Sequence, residues 1–416
     1  MIHKSEKGQA LVLIVVAIIG LVGMTALTVD GGLAYTDRRN AQNAADAAAL
    51  AAALANGRGQ NFTAAAQAVA ATNGYTDNGT TTTVAISYAA SPNGACPGNV
   101  DGKDITVQIT SHRNTYFAPV VGIPEVTNTV SATARSCGTY VAPLFNGNAI
   151  VSLTPSGNAF DAHGTPDWII NGGGIFSNSV SCSSVTRGGS ASVSAPSITM
   201  VAGACGLSGI SGIPTATNAA QYSWAAFSST LPPVPQCTGT AYFANGQWHP
   251  QANTEGTRIG SNVAFSGDMN FASGLYCVTN SPGPFHGQIT GSGVTFYITS
   301  PNFSMKFNGG GNLTAQAPTA GDYKGVLMYL APQVTNGVIQ NTQALDMRGN
   351  GNADIIGTII APSATVTMFG NSGSAGFHTQ IVAYNVDSGG NADINITFNS
   401  NENYQAAQPV TLSLIK

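Results

Sequence analysis

Apolar positions run unbroken from Ala10 to Val29, twenty residues without a charge. A helix rises ~1.5 Å per residue, so this length crosses a bilayer core of ~30 Å. Lys4 and Lys7 precede the run and Asp30 follows it. The positive flank stays on the cytoplasmic side, which puts the rest of the chain outside. The run has no polar face, as a helix buried in a soluble domain usually would. A cleavable signal peptide has a shorter apolar core, ~7–15 residues, ending at small residues. Here the core passes through Thr28-Val29-Asp30 into a second helical pattern.

That second pattern starts at Leu33, after Asp30-Gly31-Gly32. From Ala41 to Ala55, ten of fifteen residues are Ala, the best helix former. Asn56-Gly57 suits a helix end. The Gly pair is a place where the rod can bend, and Asp30 is a candidate cap for the helix that follows. Phe62 to Ala71 reads as a short helix. Thr80 to Ala89, Asp104 to Ser111 and Val126 to Ala134 alternate and are rich in β-branched residues, so they read as strands. Phe117 to Val121 reads as a turn of helix. Residues 30–137 are therefore expected to form an Ala-rich helix with a small α+β module.

Beyond Gly138 the helical signal fades. Gly-Asn or Gly-Ser marks recur at Gly291, Gly311, Gly351, Gly370 and Gly390, at spacings of 20, 40, 19 and 20 residues. Gly351-Asn352-Ala353-Asp354-Ile355 and Gly390-Asn391-Ala392-Asp393-Ile394 are near copies. Short apolar strands lie between the marks: 294–298, 325–329, 355–360, 364–368, 380–384 and 394–398. Such a repeat predicts stacked rungs sharing one core. The expected fold of 138–416 is a parallel, right-handed β-helix, with a β-sandwich as the alternative. Residues 207–254 depart most, with Pro214, Pro232-Pro233, Pro235, Trp224 and Trp248, and read as a long excursion from the stack. The whole is organised as a leader (1–9), a transmembrane helix (10–29), the α+β module (30–137) and the β-helical ectodomain (138–416).

Charged residues make up only 8% of the chain and the net charge is −4. Residues 138–416 hold 6 Lys or Arg and 10 Asp or Glu. There is no basic patch, which speaks against nucleic acid. The six cysteines, Cys96, Cys137, Cys182, Cys205, Cys237 and Cys277, all follow the apolar run. An even number in an exported chain favours disulfides. Adjacency suggests Cys96 with Cys137, Cys182 with Cys205, and Cys237 with Cys277. No CxxC pair marks a zinc site.

Gly8-Gln9-Ala10 before the apolar core, Val29-Asp30-Gly31-Gly32 after it, and Arg38-Arg39-Asn40-Ala41-Gln42-Asn43-Ala44-Ala45-Asp46 resemble the N-terminal region of TadG-like proteins of the tight-adherence (Flp) pilus machinery. The resemblance implies a single-pass inner-membrane protein, or a pilin-like subunit, serving surface attachment. It makes Gly8-Gln9 a candidate processing site. The Glu that pilin-type subunits resemble one another in, five residues into the mature chain, is replaced by Leu13. The Asp-x-Ser-x-Ser metal site of von Willebrand type A domains, which some TadG-like proteins carry, does not occur.

Asp30, Asp37, Arg38, Arg39 and Asp46 are candidates for helix packing and partner contacts, or for a solvated face. Trp224, Phe227, Tyr242 and Trp248 are candidate aromatics for recognising a surface, or for packing the excursion. Hydrolysis of a polysaccharide would need paired carboxylates ~5–9 Å apart. Asp354 and Asp393 sit at matching points of the repeat and are the pair to examine, for catalysis or for calcium. His163 lies near Asp167 without a placed nucleophile, and no phosphate loop or nucleophile elbow occurs. No catalytic residue, metal or cofactor is assigned. The reading is a membrane-anchored, surface-exposed component of a tight-adherence pilus system, structural and adhesive, not an enzyme. Its expected partners are the inner membrane, other pilus-assembly or pilin-like subunits, extracellular surfaces or glycans, and further copies of itself. The alternatives are an anchored β-helical carbohydrate-active enzyme and a self-polymerising filament subunit.

Overall fold

The computed structural model describes residues 7–252, 254, 256–259, 267–307, 311–348, 354–369, 376–408 and 410–415. Two of the repeat marks, at 351–352 and 370–371, lie outside them. The chain forms two compact units, Met1–Val141 with Ala407–Lys416, and Ala142–Ala406.

The first unit is built on α1 (Lys7–Gly57), one helix of 51 residues. Its stretch Leu11–Gly20 is exposed throughout, and the helix is long and apolar enough to cross a membrane. Its upper half is buried on one face. Ala41, Ala44, Ala45, Ala48, Ala49, Ala52 and Ala53 have no exposed surface. They recur at three- and four-residue steps, so they share one stripe. Side chains this small let the backbone approach closely. The stripe packs with Ile105, Val107, Ile109, Val130, Ala132 and Ala134. Those residues come from an antiparallel sheet of β1 (Thr82–Ala90), β2 (Gly102–Asn114) and β3 (Glu125–Cys137). α2 (Phe62–Thr72) completes the layer. The Asn61 side chain caps it, accepting from the Ala64 N–H at 3.1 Å. The chain's last strand, Thr411–Leu414, pairs antiparallel with β3, so the second unit is inserted between two neighbouring strands of the first.

The helix does not stop at Asp30-Gly31-Gly32, where the sequence allowed a bend. α1 runs through these residues, so Asp30 caps no new helix within α1. Gly31 and Gly32 have nothing within 4 Å of where a Cβ would stand, so close packing does not explain them either.

The regular structure of the second unit is mostly short strands paired in parallel. Partners lie about 20 residues apart along the chain, or a small multiple: Met269 with Ile289, Ile289 with Leu313, Ile355 with Phe377 and Phe377 with Ile396. Among the described residues no sheet closes on itself. The parallel register does not suit the antiparallel sheets of a β-sandwich. The spatial order differs from the sequence order. The late strands Ile381–Gly389 and Ile394–Thr397 pair with the early ones, Ile150–Ser152 and Asp167–Asn171. The chain therefore enters and leaves the stack in its middle. It climbs to one end, crosses to the other, and returns.

That crossing is the Pro-rich excursion, and its path follows a ladder of side chains. Phe176, Val151, Val382, Ile360, Tyr329, Tyr297 and Cys277 sit opposite one another on successive strands. Their neighbours Ile175, Ile150, Ile381, Ile359, Met328, Phe296 and Tyr276 point the other way, into the main core. This alternation is the two-residue period of a strand. The outer ladder is covered by Phe227 and Cys237 of the excursion and by Tyr404. Tyr323 and Tyr404 donate their hydroxyls to the excursion's carbonyls at Pro233 (2.9 Å) and Thr230 (3.2 Å). Cys237 is bonded to Cys277. The excursion is thus a strap packed along one face and not a lid over one end. Its first residues, Leu207–Ser208 and Thr215–Ala216, still pair with the stack.

Phe227 is 2% exposed and anchors the strap. Phe227→Ala should lower the body's stability by roughly 3 kcal/mol. The three tryptophans all lie in this unit, so the denaturant midpoint read from Trp fluorescence checks it; an unshifted midpoint would mean the strap does not support the stack.

Candidate functional site

The charges on α1 divide by environment. Asp37 is buried and receives four side chains. Ser111 donates its hydroxyl, Asn128 its amide at 2.8 Å, Arg113 its Nε–H at 2.8 Å and Tyr75 its hydroxyl at 3.1 Å. Ser111 and Arg113 stand on β2, Asn128 on β3, and Tyr75 follows α2. One carboxylate thus ties α1 to β2, β3 and the segment that follows α2. Burial pushes its pKa up, but the donors from Ser111, Asn128 and Arg113 and the Arg113 charge outweigh burial, and the net shift is downward. Asp30 accepts three consecutive backbone N–H groups, of Tyr116, Phe117 and Ala118, at 3.0, 2.9 and 2.7 Å. Ala118 begins a 3-10 turn, so the carboxylate caps that turn from outside. Asp46 accepts from Gln42 one turn earlier, at 2.8 Å. Arg38 and Arg39 are exposed.

A groove of about 540 Å³ lies beside this network, lined by Leu33, Asp37, Asn40, Asn43, Tyr75, Arg113 and Tyr116 among others. Gly8 and Gln9 are within α1.

The four sequence-predicted aromatics do not form one patch. Trp224 meets Phe227 edge to face at 5.9 Å, and both pack on the strap side of the outer ladder. Tyr242 and Trp248 stand on an antiparallel hairpin, Tyr242–Ala244 with Gln247–His249. Its turn residues Asn245 and Gly246 have φ of 51° and 78°. Asn-Gly tolerates those angles as few other pairs do. Tyr242 stacks on His249 at 5.3 Å, and Phe243 meets Trp248 at 5.4 Å. Tyr242 and Phe243 are more than half exposed.

A larger groove, about 720 Å³, lies elsewhere on the body. Phe145, Phe176 and Tyr222 form its aromatic side, with ring centroids 4.7–5.6 Å apart. Asn146, Asn148, Gln221, Ser197, Thr199 and Ser223 add uncharged donors and acceptors, and no charged side chain lines it. Phe145 and Asn146 have φ of 48° and 56°, a conformation that costs of order 1–3 kcal/mol per residue and clusters at functional sites. Opposite them, a Cβ at Gly173 would meet the Gly147 carbonyl at 2.4 Å, so only glycine fits. Aromatic faces beside neutral amides and hydroxyls suit an uncharged, polyhydroxylated ligand. Only the Gly172 to Gly174 run hints at this groove in the sequence.

The carboxylate pair that the repeat suggested does not line up. Ile355 stands opposite Phe377, and Phe377 opposite Ile396. That register brings Asp354 level with Asn395, not Asp393. Asp393 instead accepts the Asp167 N–H at 3.0 Å. The near copies are therefore offset by two residues in the strand register. A different cluster forms where late and early strands meet. Asp387 lies opposite Asp161, and His163 Nδ1 is 3.0 Å from Asp387 and 3.4 Å from Asp161. Their potential ligand atoms lie within 4.8 Å of one another. Burial pushes the Asp387 pKa up, against the opposing pull of His163. Sequence separation hid this cluster, since nothing in the chain pairs residue 161 with 387.

All six cysteines are bonded: Cys96 to Cys137, Cys182 to Cys205, and Cys237 to Cys277.

The Tad family model, described as "Putative Flp pilus-assembly TadE/G-like", matches residues 8–56. No curated protein and no solved structure matches the chain.

A depressed carboxylate contributes stability that is present above its unfolded pKa and lost as pH falls through the folded one. Asp37 should therefore make the first unit lose stability below about pH 4, the ordinary carboxylate range. Asp37→Asn should cost roughly 2 kcal/mol at pH 7 and flatten the acid limb. Thermal melts across pH 2–7 check this; parallel acid limbs for both proteins would contradict it.

Proposed function

We propose that this chain, whose residues 8–56 match a TadE/G-like pilus-assembly family model, is a membrane-anchored component of a tight-adherence pilus system. The apolar half of α1 is the anchor. The second unit is a disulfide-bonded, parallel β-helical body that lies outside the cytoplasmic membrane. Its role is structural and adhesive, not catalytic. The observation that carries this is the division of one helix. Its lower half is apolar and exposed, while its upper half is the core helix of a folded unit. Membrane embedding accounts for both halves. Three disulfides and no free cysteine fit an oxidising compartment.

The adhesive surface in this reading is the groove at Phe145, Phe176 and Tyr222, and its ligand class is a neutral glycan. The groove fits it better than the four aromatics of the excursion do, because uncharged amides and hydroxyls surround the exposed ring of Tyr222, while Phe145 and Phe176 are buried behind it in the cluster that packs the strap. The enzyme alternative has less to rest on: no charged side chain lines this groove.

The test is fractionation of cells producing the full chain, followed by protease added to intact spheroplasts. The expected result is a membrane-bound protein whose body is digested from outside, with loss of surface attachment when it is removed. A soluble protein, or a body protected from protease, would overturn the reading. Tyr222→Ala should abolish retention on immobilised neutral polysaccharide while leaving the fold intact; unchanged retention would remove the groove from the account.

A further inference from the structure

Resting on the anchoring reading, we propose that the loop between β2 and β3 is a second membrane contact, lying in the outer headgroup region beside the helix. Its position is fixed by Asp30. That residue ends the apolar run of α1, and its carboxylate grips the N–H groups of Tyr116, Phe117 and Ala118. The loop therefore sits at the level where the helix leaves the lipid.

Its composition suits that level. Residues 114–124 carry no charge. Tyr116 is 76% exposed, Val120 65%, Val121 51% and Ile123 50%. A folded surface seldom offers so many neighbouring apolar side chains to water. On α1, Leu27, Val29 and Leu33, each within three residues of Asp30, are exposed as well. Helix and loop thus both present apolar side chains at the level that Asp30 sets. A tyrosine at its edge fits the headgroup boundary, where amphipathic rings concentrate.

The loop is also held in shape. Thr115 donates twice across its neck, its N–H to the Pro124 carbonyl at 3.0 Å and its hydroxyl to the Ile123 carbonyl at 2.5 Å. Gly122, with φ of 86°, closes the 3-10 turn. A rigid apolar loop loses little freedom on meeting lipid. Two contacts with one membrane, a span and a loop, would fix the rotation of the first unit about α1. A span alone would leave it free to turn.

The test uses the full chain in phosphatidylcholine vesicles. Single cysteines replace Val120, Leu21 or Tyr88 and carry an environment-sensitive fluorophore; the native cysteines are all bonded and do not compete. Tyr88 is an exposed site on β1. Lipids brominated near the headgroup or deep in the acyl chains act as quenchers. The expected result is loss of fluorescence at Val120→Cys with shallow bromines, at Leu21→Cys with deep bromines, and at Tyr88→Cys with neither. Quenching at Leu21→Cys without quenching at Val120→Cys overturns the loop contact and leaves the anchor standing. No quenching at Leu21→Cys overturns the anchor, and the loop contact with it.

Discussion

The close approach of α1 to the antiparallel sheet is the constraint on which the first unit depends. It requires side chains no larger than alanine along one stripe of a helix whose other half is apolar and exposed. A larger residue at Ala45 or Ala49 would push helix and sheet apart. The separation would also stretch the bonds at Asp37 and Asp30, because both carboxylates reach from the helix to backbone or side chains on the other elements. Small-residue packing supplies the proximity, and the two buried carboxylates fix the register of helix on sheet. Neither would suffice alone. Alanine surfaces slide past one another, and a buried acid without its donors is costly.

In the body the corresponding constraint is that one strand pair cannot bury its own apolar side chains. The chain meets it with two ladders of opposite facing. One fills the main core. The other, from Phe176 to Cys277, would be open to water without the strap. The strap is needed because the chain starts in the middle of the stack and must cross from one end to the other. The same topology explains the meeting of Asp161, His163 and Asp387, which follows from the late strands docking on the early ones.

The legible parts of the fold were those governed by local pattern. The apolar run, the Ala stripe and strands such as Val294–Ile298 follow from periodicity, and neighbouring cysteines are the ones bonded. What the sequence could not disclose depended on partners far along the chain. Asp30 looks like a helix cap because Asp before a helical pattern usually is one; its real donors are at 116–118. Asp354 and Asp393 look equivalent because their pentapeptides match, yet the strand pairing sets them two positions out of register. The groove at Phe145 escaped notice because its aromatic residues come from three separate segments. A left-handed backbone at a phenylalanine leaves no mark in sequence.

The central claim is that a single straight helix is at once anchor and core element. Distance measurement between spin labels at Leu21→Cys and Leu50→Cys, in the full chain in lipid vesicles, tests it most directly. Both sites are exposed on α1. An unbroken helix, at ~1.5 Å per residue, predicts one narrow distribution near ~44 Å. A broad or distinctly shorter distribution would mean that the helix breaks at Gly31-Gly32, and that anchor and core are separate elements after all.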